Sequence, residues 1–472
     1  PLILIVGAAL RFYHNTSIAL WHDEAFSALY LKYSWAEMMH RIALDVHPPL
    51  YYIILRLYAY VFGDGLFSLR LLSIIFGLLT IYAGYLLVKK IWNNENWALL
   101  SALALALNPF QIQYSLEARM YTMGTFLALI SCYLLVKALK TNQKKHWILY
   151  AVAVAAAVYT HYYLVFTVAA QGLYVVYLMI KERKLKWPAI SAYALSVVLY
   201  LPWLKTFLVQ LTRVQEAYWI PAMDRWSIPG TVWKMVFGGA GEARGILILT
   251  TLIALAVIVY FLKSTNINEK WLIVLSLVVP FAAAVLLSLK TAIYLDRYFV
   301  FASLFFSILI VIAFLQIKNY PARKTLLVLF FALSLIWFFK NWQNLNLGPG
   351  MAGASQQIKE NAQNTDKIYV GSSFVYFTFK YYNQTDIKPL LYSSGTLESI
   401  PHFSGTALLN NDDLILDFKP TPKGSQVWLI WTTGFGGNKP VVPGNWSLVE
   451  EKVFNDTPDF KGQIFVDQYH VN

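Results

Sequence analysis

Long apolar segments separated by short polar loops run from the N-terminus to about residue 341. An α-helix needs about 20 apolar residues to cross the hydrocarbon core of a bilayer. After a first apolar segment that ends near Arg11, the pattern predicts membrane-spanning helices over 67–88, 97–113, 119–138, 146–160, 162–180, 187–208, 245–262, 271–289, 297–316 and 324–340. The chain is therefore predicted to cross a membrane about eleven times, although the segment 146–160 is shorter than a full crossing.

The first of these segments begins abruptly. The sequence opens Pro1-Leu2-Ile3-Leu4, with neither an initiator Met nor a basic flank. We therefore expect this first span to be truncated at its N-terminus.

The apolar pattern stops at the start of a polar, Gly- and Asn-rich tail. In the tail, short β-like runs at Lys367 to Val370, Val427 to Trp431 and Gln463 to Val466 alternate with helical stretches such as Ala354 to Ala362. Such alternation is typical of a small α/β domain. Two domains are predicted: a membrane domain over 1–344 and a soluble α/β domain over 345–472.

Composition agrees with this reading. Of the 472 residues, 58% are hydrophobic and only 13% are charged, compared with roughly 25% charged in a soluble domain. The fold class is therefore a polytopic α-helical membrane protein with a C-terminal α/β domain. The single cysteine, Cys132, lies in an apolar segment and excludes an intrachain disulfide and a cysteine-based zinc site.

Basic residues concentrate in alternate short loops, which fixes the orientation through the positive-inside rule. The cytoplasmic set is Lys89, Lys90, Lys137, Lys140, Lys144, Lys145, Lys181, Arg183, Lys184, Lys186, Lys263, Lys270, Lys318, Arg323 and Lys324. The loop that contains Asp23 and, by span parity, the C-terminal domain then lie outside the plasma membrane. The net charge of +13 is explained by topology and by attraction to anionic lipids, and we expect no nucleic-acid partner.

Most of the remaining polar motifs fall on the outer side. They are Asp23/Glu24, Asp45/His47, Arg70, Glu117/Arg119, His161 and Asp296/Arg297. A transporter is expected to place its ionisable residues near mid-bilayer, on broken helices of two related halves. The outer cluster favours an enzyme whose lipid-linked substrate lies in the outer leaflet; the alternative is a transporter or flippase of lipid-linked glycans.

The order of these motifs resembles a known family. The acidic pair is followed by His47-Pro48-Pro49-Leu50-Tyr51-Tyr52, then Leu69-Arg70-Leu71-Leu72-Ser73 with Gly77, then Tyr114-Ser115-Leu116-Glu117-Ala118-Arg119-Met120-Tyr121. This set is similar to that of the protein O-mannosyltransferase and aminoarabinose-transferase group, within the GT-C superfold. The resemblance implies an enzyme that takes a hexose or pentose from a polyprenyl-phosphate carrier and inverts the anomeric centre. The acceptor can be a protein, a lipid or a glycan at the outer face.

The resemblance also implies roles for the acidic residues. Asp23, in the first outer loop at about 13–66, matches the family's acidic position and is predicted to be the general base, with Glu24 orienting the acceptor or Asp23 itself. The alternative is that the pair caps a helix suggested by Ala25 to Leu29, since acidic residues favour helix N-termini. Glu117 is predicted to hold the acceptor or to bind a divalent metal ion together with Asp23.

Cations are implied to bind the donor phosphate. Arg70, Arg119 and Arg297, the last beside Tyr298, suit phosphate through the planar guanidinium. The histidines His47 and His161 are predicted to contact the phosphate or the donor. The alternatives are headgroup snorkelling for Arg70, a local ion pair of Glu117 with Arg119, and tight structural turns at the two histidines. No cofactor is required by the sequence, and no compact metal-binding spacing such as His-Glu-x-x-His occurs.

Overall fold

The computed structural model describes residues 1–216, 219–239, 241, 243–345, 347–393, 395–456 and 462–472. Contacts group the chain into two compact units. The membrane unit comprises Pro1–Tyr13, His47–Ile54 and Arg70–Trp342, and the sheet unit comprises His14–Val46, Leu55–Leu69 and Gln343–Asn472. The first outer loop predicted at 13–66 therefore contributes residues to both units.

Eighteen α-helices are present in the described part of the chain, and most of the predicted apolar segments correspond to one of them. They are α1 (Leu2–Phe12), α2 (His22–Tyr30), α3 (Trp35–Leu44), α4 (Leu50–Phe62), α5 (Leu66–Trp92), α6 (Glu95–Leu107), α7 (Pro109–Ser115), α8 (Tyr121–Thr141), α9 (Lys144–Thr160), α10 (Leu164–Glu182), α11 (Trp187–Glu216), α12 (Ser227–Phe237), α13 (Arg244–Ser264), α14 (Lys270–Ser288), α15 (Val300–Leu315), α16 (Tyr320–Gln343), α17 (Gly350–Asn361) and α18 (Ser373–Tyr382).

Eight helical segments in the described part of the chain are long and apolar enough to cross a bilayer. They are α5, α8, α10, α11, α13, α14, α16 and the Asp296–Leu315 segment that contains α15. Helices α1, α6 and α9 have 11, 13 and 17 residues, fewer than a full crossing needs. The prediction of a multi-span helical fold is confirmed, and the count of about eleven spans stays a prediction.

One predicted span, 97–113, is broken in the structure. It consists of α6 and α7, which meet at Asn108. Pro109 has no backbone N–H to continue α6, and the Asn108 side-chain oxygen accepts a hydrogen bond of 3.0 Å from the Gln111 N–H, which caps α7. The break directs α7 toward the loop that carries Glu117.

Arg11 is buried beside this break, with 1% of its surface exposed. Its Nη1 donates to the Ala106 carbonyl and its Nε to the Ser115 hydroxyl, both at 3.1 Å. The end of α6 offers carbonyls that lack intrahelical partners, and the guanidinium donates to two of them, those of Leu105 and Ala106. At Gly77, an added Cβ would lie 2.7 Å from the Ser115 Oγ and 2.9 Å from the Arg11 Nε. Glycine at this position therefore leaves room for the contact between Arg11 and Ser115.

The membrane unit packs around α15. In its spanning segment 83% of the residues are buried inside the protein, compared with 17% for α13 and 11% for α16. A helix that is apolar all round and covered by protein belongs to a core, whereas α13 and α16 leave apolar side chains exposed. These exposed side chains are suited to contact lipid tails.

The sheet unit contains a six-stranded mixed sheet of order β3-β2-β1-β4-β6-β5. Its strands are β1 (Lys367–Val370), β2 (Leu390–Tyr392), β3 (Leu414–Ile415), β4 (Gln426–Thr432), β5 (Trp446–Asn455) and β6 (Gln463–Val471). Strands β2, β1, β4 and β3 pair in parallel, and β6 pairs antiparallel with β4 and β5. Tyr369, Val427, Leu429 and Tyr469 form part of its buried core. The predicted C-terminal sheet domain is confirmed.

Helix α2, which carries Asp23, packs against α18 within the sheet unit. The His22 ring centroid lies 5.2 Å from that of Phe374, and the Phe26 centroid lies 5.5 Å from that of Phe377. From α3, Arg41 donates hydrogen bonds of 3.0 Å to the Ala407 carbonyl and 2.8 Å to the Asn410 side chain. The ring contacts of His22 and Phe26 hold the part of α2 that contains Asp23 against α18.

Candidate active site

A short turn between α7 and α8 carries Glu117 and Arg119. The Arg119 N–H donates to the Glu117 carbonyl at 2.7 Å, and the Ser73 hydroxyl of α5 donates to the same carbonyl at 2.6 Å. Arg70 precedes Ser73 by three residues and therefore lies on the same face of α5. It is buried, with 3% of its surface exposed. The turn and the start of α5 thus bring Glu117, Arg119 and Arg70 into one region.

The Arg119 guanidinium is buried, with 2% of its surface exposed. Its Nη1 donates to the Tyr52 hydroxyl at 3.3 Å, and its Nη2 lies 3.3 Å from the His47 Nε2. A guanidinium offers no acceptor, so the His47 Nε2 must accept this hydrogen bond. The two prolines after His47 directly precede α4, and His47 and Tyr52 on either side of this helix start both contact Arg119.

His161 ends α9 and lies among aromatic rings. Its Nδ1 accepts a hydrogen bond of 3.1 Å from the Tyr163 N–H, and its ring centroid lies 5.0 Å from those of Tyr298 and Phe301. Burial lowers the pKa of His161 well below the usual 6.5, and the nearby His47 and Arg119 lower it further. His161 is therefore neutral near pH 7 and presents an Nε2–H donor. It does not supply the positive charge that a phosphate site would favour.

This shift makes stability depend on pH. Below about pH 6.5 the unfolded chain binds a proton at His161 that the folded protein resists, so the folded state is destabilised as the pH falls. We expect the melting temperature of the detergent-solubilised protein to fall between pH 6.5 and pH 5, and His161→Asn to reduce that slope while lowering the absolute value. The free energy of unfolding falls by at most about 1.4 kcal/mol per pH unit over this range. Parallel slopes for the two proteins would contradict the assignment.

Arg297 and Tyr298 lie in a short 3-10 helix, Asp296–Phe299, just before α15. The Arg297 guanidinium carbon lies 5.6 Å from the centroid of the Trp219 ring, and the Tyr298 hydroxyphenyl ring packs 4.9 Å from that of Tyr163. Asp296 forms an ion pair of 3.1 Å with Lys234.

Tyr114 links the Glu117 turn to Arg297. Its pKa is raised well above 10, first by burial and then by the negative charge of Glu117, while the positive charge of Arg297 opposes the rise. Both charges are therefore close enough to act on one hydroxyl group. Within the membrane unit the structure brings together His47, Arg70, Glu117, Arg119, His161, Arg297 and Tyr298.

Asp23 and Glu24 begin α2 in the sheet unit. Glu24 is fully buried, and its carboxylate accepts a hydrogen bond of 3.4 Å from the Trp21 N–H. The capping alternative therefore describes Glu24. Asp23 is half-buried, and its carbonyl accepts a hydrogen bond from the Ser27 hydroxyl. The catalytic assignments of both residues stay predictions.

A metal site is the other open prediction. Among the described residues, no group of three or more His, Cys, Asp or Glu side chains is arranged to hold a metal ion. Asp23 and Glu117, the two proposed ligands, belong to different units. Among the described residues, no third protein ligand joins the predicted pair in such a group.

Several site residues were not predicted. Tyr52, Ser73, Tyr114 and Tyr121 contact or influence the predicted residues. All four lie inside the motifs that carry the family resemblance, which is the signal that could have identified them. Gln210, whose side chain donates to the His47 carbonyl at 3.5 Å, lies in the long helix α11, where the sequence offers no such signal.

The architecture and the sequence were compared with known proteins. A family model described as dolichyl-phosphate-mannose-protein mannosyltransferase matches residues 46–205. No curated protein sequence matches the chain. ArnT from Cupriavidus metallidurans bound to undecaprenyl phosphate aligns with a TM-score of 0.62 at 12% identity, over 98% of this chain and 97% of that one.

Two further solved structures share the architecture. The oligosaccharyltransferase AglB from Archaeoglobus fulgidus aligns with a TM-score of 0.50 at 12% identity, over 90% of this chain and 69% of that one. The arabinofuranosyltransferase AftD from Mycobacteria aligns with a TM-score of 0.51 at 13% identity, over 100% and 39%. The chain is thus a multi-pass membrane protein with the fold of the GT-C glycosyltransferases, and it resembles the protein O-mannosyltransferase and aminoarabinose-transferase group.

Proposed function

We propose that the protein is an inverting glycosyltransferase. It transfers a hexose or a pentose from a polyprenyl-phosphate carrier to an acceptor at the extracytoplasmic face of the plasma membrane. The acceptor is a protein, a lipid or a glycan. In this proposal the C-terminal domain is also extracytoplasmic.

The observation that carries the proposal is the buried Arg119 guanidinium held by Tyr52 and His47. Burying a cation is costly unless an anion or several hydrogen bonds compensate for the lost water. Arg70 and Arg297 add positive charge to the same region, where Glu117 is the acidic residue of the predicted set. A phosphate would balance this excess and accept strong, charge-assisted hydrogen bonds from the guanidinium groups.

The structural neighbours support a lipid-phosphate donor. ArnT was solved with undecaprenyl phosphate and AglB with dolichol phosphate. Both ligands are polyprenyl phosphates, which are the leaving groups of the proposed reaction. The family model over residues 46–205 covers the turn with Glu117 and Arg119 as well as His47 and His161.

The proposed reaction is a single displacement. The acceptor oxygen forms a bond to the anomeric carbon as its proton passes to the Asp23 carboxylate. The bond from the anomeric carbon to the phosphate oxygen breaks, and the pair of electrons leaves with the polyprenyl phosphate. Arg119, Arg70 and Arg297 stabilise the charge on that phosphate, which needs less acid assistance than a sugar alkoxide. One displacement inverts the anomeric configuration.

The proposal is tested with purified protein in lipid nanodiscs. Synthetic polyprenyl phosphates that carry either a hexose or a pentose are added with a cell-envelope extract, and release of polyprenyl phosphate is followed by mass spectrometry. We expect release to require the extract, and NMR of the product to show an inverted anomeric centre. Donor that crosses a liposome bilayer without being cleaved would identify a flippase instead.

A further inference from the structure

A cleft in the sheet unit lies directly beside the residues that precede Asp23. It is partly open to solvent. Trp21 and His22 of the α2 start form one part of its lining, and Phe374, Phe435 and Asp456 form another. A concave lining of aromatic rings with a few polar side chains is the chemistry of many small-ligand sites.

Phe435 is held in a strained conformation at this cleft. Its φ angle is +53°, in the left-handed region that bulky side chains rarely adopt. Its ring stacks on that of Phe374 with centroids 4.3 Å apart and planes inclined by 11°, and 42% of the residue surface stays exposed. Strain of this kind persists where the surrounding structure enforces it, often at ligand sites. An aromatic face is thus displayed at a free-energy cost.

The turn around Phe435 also orients a carboxylate. The Gly434 N–H donates to the Thr432 hydroxyl at 2.9 Å, and that hydroxyl donates to the Asp456 Oδ2 at 2.7 Å. An added Cβ at Gly434 would lie 2.5 Å from the same oxygen. The glycine therefore permits the carboxylate to lie against the turn that presents Phe435.

We infer that this cleft binds a sugar ring of the acceptor. The apolar face of a sugar packs on an aromatic ring, and its hydroxyl groups donate to a carboxylate and exchange hydrogen bonds with an imidazole. Phe435, Asp456 and His22 supply these groups. Because the cleft combines a carboxylate with aromatic rings, it suits a hydroxylated ring better than a polyprenyl chain.

The position of the cleft connects it to catalysis. Trp21 and His22 line it, and Asp23 is the next residue of the same helix start. A ring bound here would hold the acceptor near the proposed base. That the bound sugar belongs to the acceptor rests on the proposed function, whereas sugar binding itself can be measured without any transfer.

The first experiment measures binding alone. Saturation-transfer NMR is recorded with the full chain in detergent micelles and a panel of methyl glycosides of hexoses and pentoses. We expect at least one glycoside to receive saturation, and Phe435→Ala to weaken its binding about ten-fold. Phe435→Trp should retain binding because it keeps an aromatic face. Phe435→Gly, which relieves the strained φ, serves as the ring-deleted variant if the alanine protein does not fold.

Phe465→Ala is the matched control. Phe465 also stacks on an aromatic ring in the sheet unit, 4.0 Å from Trp431, but it does not line the cleft. We expect this variant to bind glycosides as the unchanged protein does. Absence of saturation transfer to every glycoside, or equal transfer in the Phe435→Ala protein, would overturn the inference.

The second experiment measures transfer. In the nanodisc assay we expect Phe435→Ala to raise the acceptor KM about ten-fold with an unchanged donor KM. Transfer with an unaltered acceptor KM would show that the acceptor does not bind in the cleft, and it would leave the proposed function intact. No transfer by the unchanged protein would count against the proposed function, while the NMR result would still decide sugar binding.

Discussion

Asp23→Asn is expected to abolish most sugar transfer while leaving the binding of polyprenyl phosphate unchanged. General-base catalysis contributes about 10²–10⁴-fold to such reactions, and an asparagine cannot accept the acceptor proton. The substitution preserves the size of the side chain and keeps an oxygen at the start of α2. We expect kcat to fall by that factor, measured as polyprenyl phosphate released per unit time under saturating donor.

Two variants separate catalysis from folding. Glu24→Gln alters the buried carboxyl that accepts from the Trp21 N–H, so we expect a lower melting temperature and a smaller loss of turnover. Asp64→Asn removes an exposed carboxylate of the sheet unit that pairs with Lys32, and we expect turnover to stay unchanged. Turnover of Asp23→Asn equal to that of the unchanged protein would refute the base assignment.

The sequence predicts the apolar helices well because each of them satisfies one dominant requirement, burial of the backbone in hydrocarbon. Helices α8, α10 and α13 begin and end within a few residues of their predicted limits. Strand β5, by contrast, was missed. It is an edge strand with mostly exposed residues, among them Glu450 and Glu451, so the alternation that marks a half-buried strand is absent.

The sequence predicted which residue types and which loops form the candidate site. It did not predict the contacts among those residues. The run from His47 to Tyr52 and the turn from Glu117 to Arg119 were both part of the prediction. Their contact at Arg119 depends on how the His47–Ile54 segment packs in the membrane unit, which no local pattern specifies. Arg11 shows the same limit: its carbonyl partners in α6 lie 94 and 95 residues away in the sequence.

Arg119→Gln is expected to weaken binding of the donor lipid about 10- to 100-fold, since a hydrogen bond that involves a charged group contributes roughly 1.5–3 kcal/mol. Glutamine keeps a donor but loses the charge and cannot reach both Tyr52 and His47 as the guanidinium fork does. Arg119→Lys restores the charge without the fork, so we expect an intermediate affinity. Binding is measured by titrating a short-chain polyprenyl phosphate into the detergent-solubilised protein and following the intrinsic tryptophan fluorescence.

The control for this prediction is Arg323→Gln. It makes the same charge change in the first turn of α16, at a helix end predicted to be cytoplasmic, where the guanidinium donates to the Leu315 carbonyl. If Arg119 binds the lipid phosphate, salt should weaken the contribution of its buried guanidinium less than it weakens that of an exposed charge, because a buried charge is poorly screened. The loss of affinity in the Arg119→Gln protein should therefore persist at high salt. Equal affinities of the Arg119→Gln and Arg323→Gln proteins would place the phosphate elsewhere. A loss confined to kcat would mean that Arg119 acts on the departing phosphate only in the transition state.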